Sequence, residues 1–422
     1  MTDAQATAGG GRHASDAMAA LDAARPEALI GLPESALPSP AFCVDLERLR
    51  RNCAMMQAKV ARLGVGLRVH VKTHKTTEAA RLQTSLVPPG EARICVSTLK
   101  EAAHFARAGF GDILLAIPVE ASKMPRVAAL HAAVPVFALL LDAPVQLEPL
   151  LAAHAAAVAA GDAAGARPYN VWLKVNAGYG RAGVDPRSPG AVALAQTIAR
   201  GPATRLAGIY SHSGNSYNSA SGAGVEAARA AVRAVAAAER DALVAFAGQC
   251  RAAGVEVPAV SAGATPSCCI ADDWAGVTEL HPGNYAFFDR QQVASGSCGR
   301  EDIAVHVLAR VLSQYVDRGE MLLDCGGTAL HKDSGGLADW GELADYPRVV
   351  LRRISQEHGV AGAAAGAPPL SAYELAAPGL AVGAAVRVYP NHSCMTACGH
   401  EVFYVVDASR TVVDVWRPAR GW

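Results

Sequence analysis

From residue 41 onward, short runs of apolar and β-branched residues alternate with longer stretches whose apolar positions recur at helical spacing. The strand-like runs cover 41–45, 67–72, 93–96, 112–117, 136–141, 171–175, 206–212 and 259–261, with 276–280 a further candidate. Helical spacing fills most of the gaps: 46–63, 76–86, 99–108, 144–160, 189–200 and 225–253. Eight strand–helix repeats over roughly 250 residues predict an α/β protein built on a closed parallel (β/α)8 barrel. A doubly wound open sheet is the rival, but no glycine-rich dinucleotide loop opens the first helix. After Asp289 the rhythm changes, and 303–315, 320–325, 384–388, 402–406 and 411–416 read as strands with few long helices between them. The expected organisation is a flexible segment over 1–37, a barrel over 38–289 and a C-terminal β domain over 290–422. A short helix is expected around 14–24, and a loop over the Gly/Ala/Pro stretch 359–369.

Composition narrows the class. Thirty-eight basic side chains balance 38 acidic ones, so the chain lacks the electropositive field of a nucleic-acid binder. With only 18% charged residues it is not a disordered chain. No uncharged apolar run reaches 18 residues, and the first forty residues do not read as a secretion signal. A cytoplasmic enzyme for a small molecule is the expectation. The ten cysteines then read as reduced thiols, most of them small buried hydrophobes.

The segment 67–75, Leu-Arg-Val-His-Val-Lys-Thr-His-Lys, carries the densest chemistry. Strand alternation puts Arg68, His70 and Lys72 on one face and Val69 and Val71 on the other. In a barrel the valines pack on helices, and the polar face looks into the lumen at the carboxyl end, where barrel active sites are built. A lysine there is desolvated and near other cations, which makes its amine a usable nucleophile. Taken alone, an exposed edge with solvated charges accounts for the segment equally well. The same alternation places Trp172, Lys174 and Asn176 on one face before a Gly-Tyr-Gly-Arg-Ala-Gly turn, and Tyr210 with His212 on another. Gly263, Ala264 and Thr265 form a small-residue turn late in the barrel, where phosphate sites commonly lie. His281-Pro-Gly-Asn-Tyr285 would add a tyrosine hydroxyl and backbone amides. In the β domain, His392 and Cys394 at i, i+2 would project together from an extended chain as a zinc-favouring pair. Spacing alone favours a buried thiol beside a surface histidine.

Together these residues resemble the alanine racemase-like, fold-type III pyridoxal-phosphate enzymes. Arg-Val-His-Val-Lys-Thr-His-Lys-Thr resembles the Schiff-base segment of their D-serine dehydratase/D-threonine aldolase branch, which implies Lys72 as the cofactor lysine and Lys75 as the fallback. The resemblance further implies cofactor contacts from His70, Arg181, Tyr210 and His212, and a phosphate turn at Gly263 and Thr265 helped by Asn284 and Tyr285. It implies Zn2+ on His392 and Cys394, where aldolases of the branch typically have aspartate at the second position. The sequence departs from the pattern at Val69, at Asn176 and at His281, which stands near where alanine racemases put an arginine.

The implied activity is dehydration of a D-β-hydroxy amino acid, D-serine first, to an oxo acid and ammonia. Lys72 would be the general base and zinc the Lewis acid. D-threonine aldol cleavage, D-threo-3-hydroxyaspartate dehydration and a non-catalytic pyridoxal-phosphate carrier are the rivals. The resemblance also implies a homodimer in which the β domain of one subunit would cover the other's barrel mouth, with no nucleic-acid or membrane partner.

Overall fold

The computed structural model describes residues 25–87, 91–220 and 224–422. The helix expected at 14–24 lies outside the described residues. Eight strands close a parallel barrel: β2 (Gly66–His70), β3 (Arg93–Val96), β4 (Asp112–Pro118), β5 (Val136–Leu141), β6 (Tyr169–Lys174), β7 (Thr204–Tyr210), β8 (Val260–Ala262) and β9 (Glu279–Leu280). Val69 and Val71 are fully buried in the barrel–helix core, as alternation requires. Inside the barrel, Arg68 pairs with Glu279 at 2.8 Å and Asp112 at 2.7 Å, and its guanidinium lies 5.4 Å from the Trp172 ring centre. That buried cation is neutralised twice over, so Arg68 is a structural plug. Cys95, Leu114, Ala138, Leu140, Trp172 and Tyr210 form a separate small core.

The strand run expected to open the barrel does something else. β1 (Ala41–Asp45) joins the C-terminal sheet, antiparallel to β10 (Val305–Tyr315) and parallel to β16 (Phe403–Val406), while the further candidate at 276–280 supplies β9 and closes the barrel. The reason lies in its side chains. Phe42 and Val44 enter one core of the β domain and Ala41 and Cys43 another, leaving no polar face for a lumen.

The remaining strands are β11 (Glu320–Leu323), β12 (Gly341–Leu343), β13 (Val349–Ile354), β14 (Gly359–Ala363), β15 (Ala385–Pro390) and β17 (Val412–Trp416). The nine-stranded sheet runs β11-β14-β13-β12-β15-β10-β1-β16-β17. β14 corrects the loop expected at 359–369. Its Gly-Val-Ala-Gly-Ala sequence suits a crowded strand, because a Cβ on Gly359 would come 2.6 Å from the Cys325 carbonyl oxygen. β12, β13 and the helix Met124–Ala133 were not expected from the pattern.

The helix Leu46–Leu63 ties the two units. Asp45 accepts a hydrogen bond from the Arg48 N–H at its start, and Gly64 ends it in a left-handed turn at φ 67°. Leu49 and Cys53 on its buried stripe pack in the β-domain core, and Met56 and Val60 in the barrel core. Among the described residues, no helix is long and apolar enough to cross a membrane.

Candidate active site

β2 stops at His70, two residues short of the strand expected from the sequence, and Lys72 lies in the turn that follows. Its backbone N–H donates to His70 Nδ1 at 3.4 Å. Lys75 adopts a left-handed φ of 56° and directs its ammonium to Glu101, 3.0 Å away and 1% exposed. Lys72 meets no carboxylate within ion-pair distance among the described residues. Burial lowers its pKa below the ordinary lysine value, with the Cys394 sulfur opposing and the Arg181 charge assisting. Two lysines of one turn therefore differ: Lys75 is paired with a buried carboxylate, and Lys72 is desolvated without one.

A cavity of about 380 Å³ opens on this amine and is lined by Lys72, Arg181, His212, Tyr217, His392 and Cys394, among others. Arg181 lies 5.1 Å from the Tyr179 ring centre, and Tyr179 stands edge-on to His212. His212 Nδ1 is 3.2 Å from the Gly263 carbonyl oxygen. Burial, reinforced by Lys72 and Lys174, pushes the pKa of His212 well below the usual histidine value. His70 and His281 nearby are also driven well below the usual histidine value, chiefly by burial.

Gly263 turns at φ 109°, and a Cβ there would strike Cys268 Sγ at 2.4 Å, so the turn requires glycine. Thr265 Oγ1 accepts from the Tyr285 N–H at 3.2 Å. The Tyr285 hydroxyl itself is buried in the barrel–helix core without a hydrogen-bond partner among the described residues, so this residue brings a backbone amide and not its phenol to the turn. Asn284 Nδ2 donates to Asp289 at 2.8 Å, Ser393 at 2.9 Å and Cys394 Sγ at 3.3 Å, facing the β domain and not the turn. Tyr210 stacks on His281 at 4.0 Å, and His281 Nδ1 lies 2.9 Å from Ser261 Oγ while its Nε2 is buried and unpartnered.

His392 and Cys394 do not sit on an extended chain. A helix, Ser393–Cys398, starts between them, because Asp289 Oδ2 accepts from both the backbone N–H and the hydroxyl of Ser393. The two side chains still converge. His392 Nδ1 is 2.7 Å from Asp333 Oδ2, and His392 and Cys394 line the same cavity. Burial is the largest influence on both groups and opposes their charged forms. It is outweighed: Asp333 and Cys394 raise His392 to about 11, and His392, Lys72 and Thr73 hold Cys394 below the ordinary thiol value. Thr73 Oγ1 lies 3.1 Å from Cys394 Sγ. The pair thus reaches the mouth of its own chain's barrel.

These groups fit the two cofactors the sequence pointed to. A desolvated amine, a cation that meets no carboxylate among the described residues, imidazoles of lowered pKa and a glycine turn suit an aromatic aldehyde bearing a phosphate. An imidazole with a low-pKa thiolate suits a soft-tolerant dication such as Zn2+. Sequence reasoning missed Asp333, Thr73 and Tyr217. Asp333 stands 59 residues before His392 with no motif around it, and nothing in the pattern links them. Lys174, on the alternation-predicted face, is 6% exposed, and burial brings its pKa down to about 7.

A closed parallel barrel presenting a desolvated lysine just beyond its first strand, with a β domain reaching over the mouth, defines the alanine racemase-like class of pyridoxal-phosphate folds. Residues 44–291 match the model of the alanine racemase N-terminal domain, and 304–406 that of the serine dehydratase domain. The D-threo-3-hydroxyaspartate dehydratase of Delftia sp. is 33% identical over 92% of this chain and 98% of its own. Its solved structure aligns with a TM-score of 0.81 at 32% identity, over 92% of this chain and all of that one. The D-serine dehydratase of Dictyostelium discoideum is 31% identical over 92% and 98% of the two chains. The D-threonine aldolase of Filomicrobium marinum aligns at 26% identity with a TM-score of 0.76, over 92% and 97%. The chain belongs to the D-serine dehydratase family of alanine racemase-like lyases.

Proposed function

We propose that the chain is a pyridoxal-phosphate- and zinc-dependent dehydratase that converts D-serine to pyruvate and ammonia, with D-threonine as a further substrate. One observation carries the reading: the lysine turn and the His392–Cys394 pair face one cavity and touch through Thr73 and Cys394. Lys72, Arg181, His212, Gly263 and Thr265, with the Tyr285 backbone amide, would hold the pyridoxal phosphate; His70 accepts from the Lys72 N–H, Tyr210 stacks on His281, and Asn284 donates to Cys394 on the metal side. Bound there, the cofactor supplies the electron sink that makes the substrate Cα–H acidic. Zinc on His392 and Cys394 supplies Lewis acidity for a departing hydroxide, an otherwise poor leaving group.

Lys72 does the proton work. Its lowered pKa leaves a larger share of free amine near neutral pH than an ordinary lysine has, so it can accept the Cα proton. A single amine reaches one face of the bound substrate, which accounts for a preference for one enantiomer. A Cys-to-Ala variant of a D-threo-3-hydroxyaspartate dehydratase, solved in the metal-free form with a TM-score of 0.81 to this chain, supports the reading that a cysteine belongs to the metal site.

The Delftia relative favours a second reading, dehydration of D-threo-3-hydroxyaspartate by the same residues. The proposal also includes a cytoplasmic homodimer. The deciding experiment incubates the loaded enzyme with D-serine, D-threonine and D-threo-3-hydroxyaspartate and quantifies ammonia, oxo acids and glycine. Pyruvate from D-serine at the highest kcat/KM supports the proposal. Glycine from D-threonine would make the chain an aldolase, and a higher kcat/KM for hydroxyaspartate would select the second reading. Full dehydration by demonstrably metal-free protein would reject the zinc role.

A further inference from the structure

Resting on the metal reading above, we propose that Asp333 is the positioning residue that decides which nitrogen of His392 meets the metal. Its Oδ2 engages Nδ1 of His392 at 2.7 Å, so Nε2 is the nitrogen left for the ion and for the approach to Cys394. Metal-binding histidines are commonly oriented by a carboxylate on the opposite nitrogen, which fixes the tautomer and strengthens the ring as a ligand.

The carboxylate is itself held from several sides. Asp333 Oδ1 accepts the Gly335 N–H at 2.9 Å, in a turn that Gly335 takes at φ 60°. Gln291 Nε2 donates to the Gly335 carbonyl at 3.2 Å, and the Gln291 N–H donates to the Asn391 carbonyl at 3.1 Å. Arg290 Nη1 donates to Asn391 Oδ1 at 2.6 Å and pairs with Asp339. One short helix, Arg290–Ala294, therefore braces the Asp333 turn and the residue before His392 together. Neither the carboxylate nor the imidazole can drift without breaking bonds on that brace. Such fixing of the carboxylate relative to the imidazole is what a tautomer-setting role requires.

The test is Zn2+ affinity, measured on metal-depleted, pyridoxal-phosphate-loaded enzyme by competition with a chromophoric chelator. A parallel Co2+ titration reads the thiolate-to-metal charge-transfer band. Asp333→Ala is expected to weaken zinc by ~10–100-fold, to shift the Co2+ band, to leave the cofactor absorbance unchanged, and to recover activity at saturating zinc. Asp333→Asn keeps an acceptor oxygen without the charge, so it should lose a smaller factor, and it carries the test if the alanine variant fails to fold. Zinc affinity at the wild-type level in these variants overturns the proposal, as does loss of cofactor absorbance in step with loss of zinc. Cys394→Ala separates this from the underlying reading. A wild type that binds no zinc, or a Cys394→Ala protein that binds it as tightly, sinks the metal site itself. Tight wild-type binding with an indifferent Asp333 sinks only the positioning role.

Discussion

Lys72 and Lys75 are three residues apart in one turn, and the structure gives the first an open cavity and the second a buried glutamate. Replacing them should separate cleanly. Lys72→Ala is expected to abolish the visible absorbance of lysine-bound pyridoxal and to cut turnover by at least ~10³-fold, within the range of a lost general base and cofactor anchor. Lys75→Ala should keep the absorbance and lose stability, about 2 kcal/mol, because Glu101 is left buried without its cation. Yellow Lys72→Ala protein would overturn the assignment. A second residue-scale effect concerns Lys174. Its folded pKa of about 7 lies below the ordinary lysine value of 10.5, so between those limits the unfolded chain binds a proton that the folded chain does not. Stability contributed at this position therefore rises with pH across that window and is lowest below it. Lys174→Met should be more stable than wild type in urea at pH 6, with the difference shrinking towards pH 10; a constant difference would exclude the linkage. Alternation along the strands made Lys72 and Lys174 visible before any coordinates. Asp333 was invisible, since its role depends on a turn brought to His392 by strands and loops far along the chain.

Element boundaries were legible because burial follows period: β1, β3 and β5 and the helices Leu46–Leu63 and Pro189–Arg200 start and stop where the apolar pattern does. Which sheet a strand joins was not legible for β1. Its partners are β10, some 260 residues onward, and β16. A five-residue run buried on both faces suits a barrel or a sandwich equally well. The assignment has a mechanical consequence. Phe42 is fully buried, 4.6 Å from the Phe403 ring centre and 5.9 Å from that of Phe287. Phe42→Ala should destabilise the protein by about 3–5 kcal/mol. Hydrogen exchange should localise the damage, with faster exchange at β10 and β16 and little change at β4 and β5. Loss of protection confined to the barrel strands would mean that β1 does not belong to the β-domain sheet.

At the scale of the whole molecule, zero net charge fits a catalyst whose work is done by local fields. The barrel's cations are individually managed: Arg68 by two acids, Lys75 by Glu101, Lys72 and Lys174 by burial. The arrangement also bears on assembly. Thr73 and Cys394 touch within one chain, so each barrel carries its own lysine and its own metal pair. A mixing experiment turns this into a measurement. Lys72→Ala and Cys394→Ala chains, unfolded and refolded together, would form mixed dimers. If lysine and metal pair came from different subunits, half of the sites in each mixed dimer would be intact, and activity would return. If both come from one chain, every site lacks one of the two groups, and the mixture should stay as inactive as either variant alone. Refolded wild type in the same protocol sets the recoverable maximum. Recovery approaching about a quarter of that maximum, the share expected for random pairing with one restored site per mixed dimer, would show that the mouth is completed across the interface.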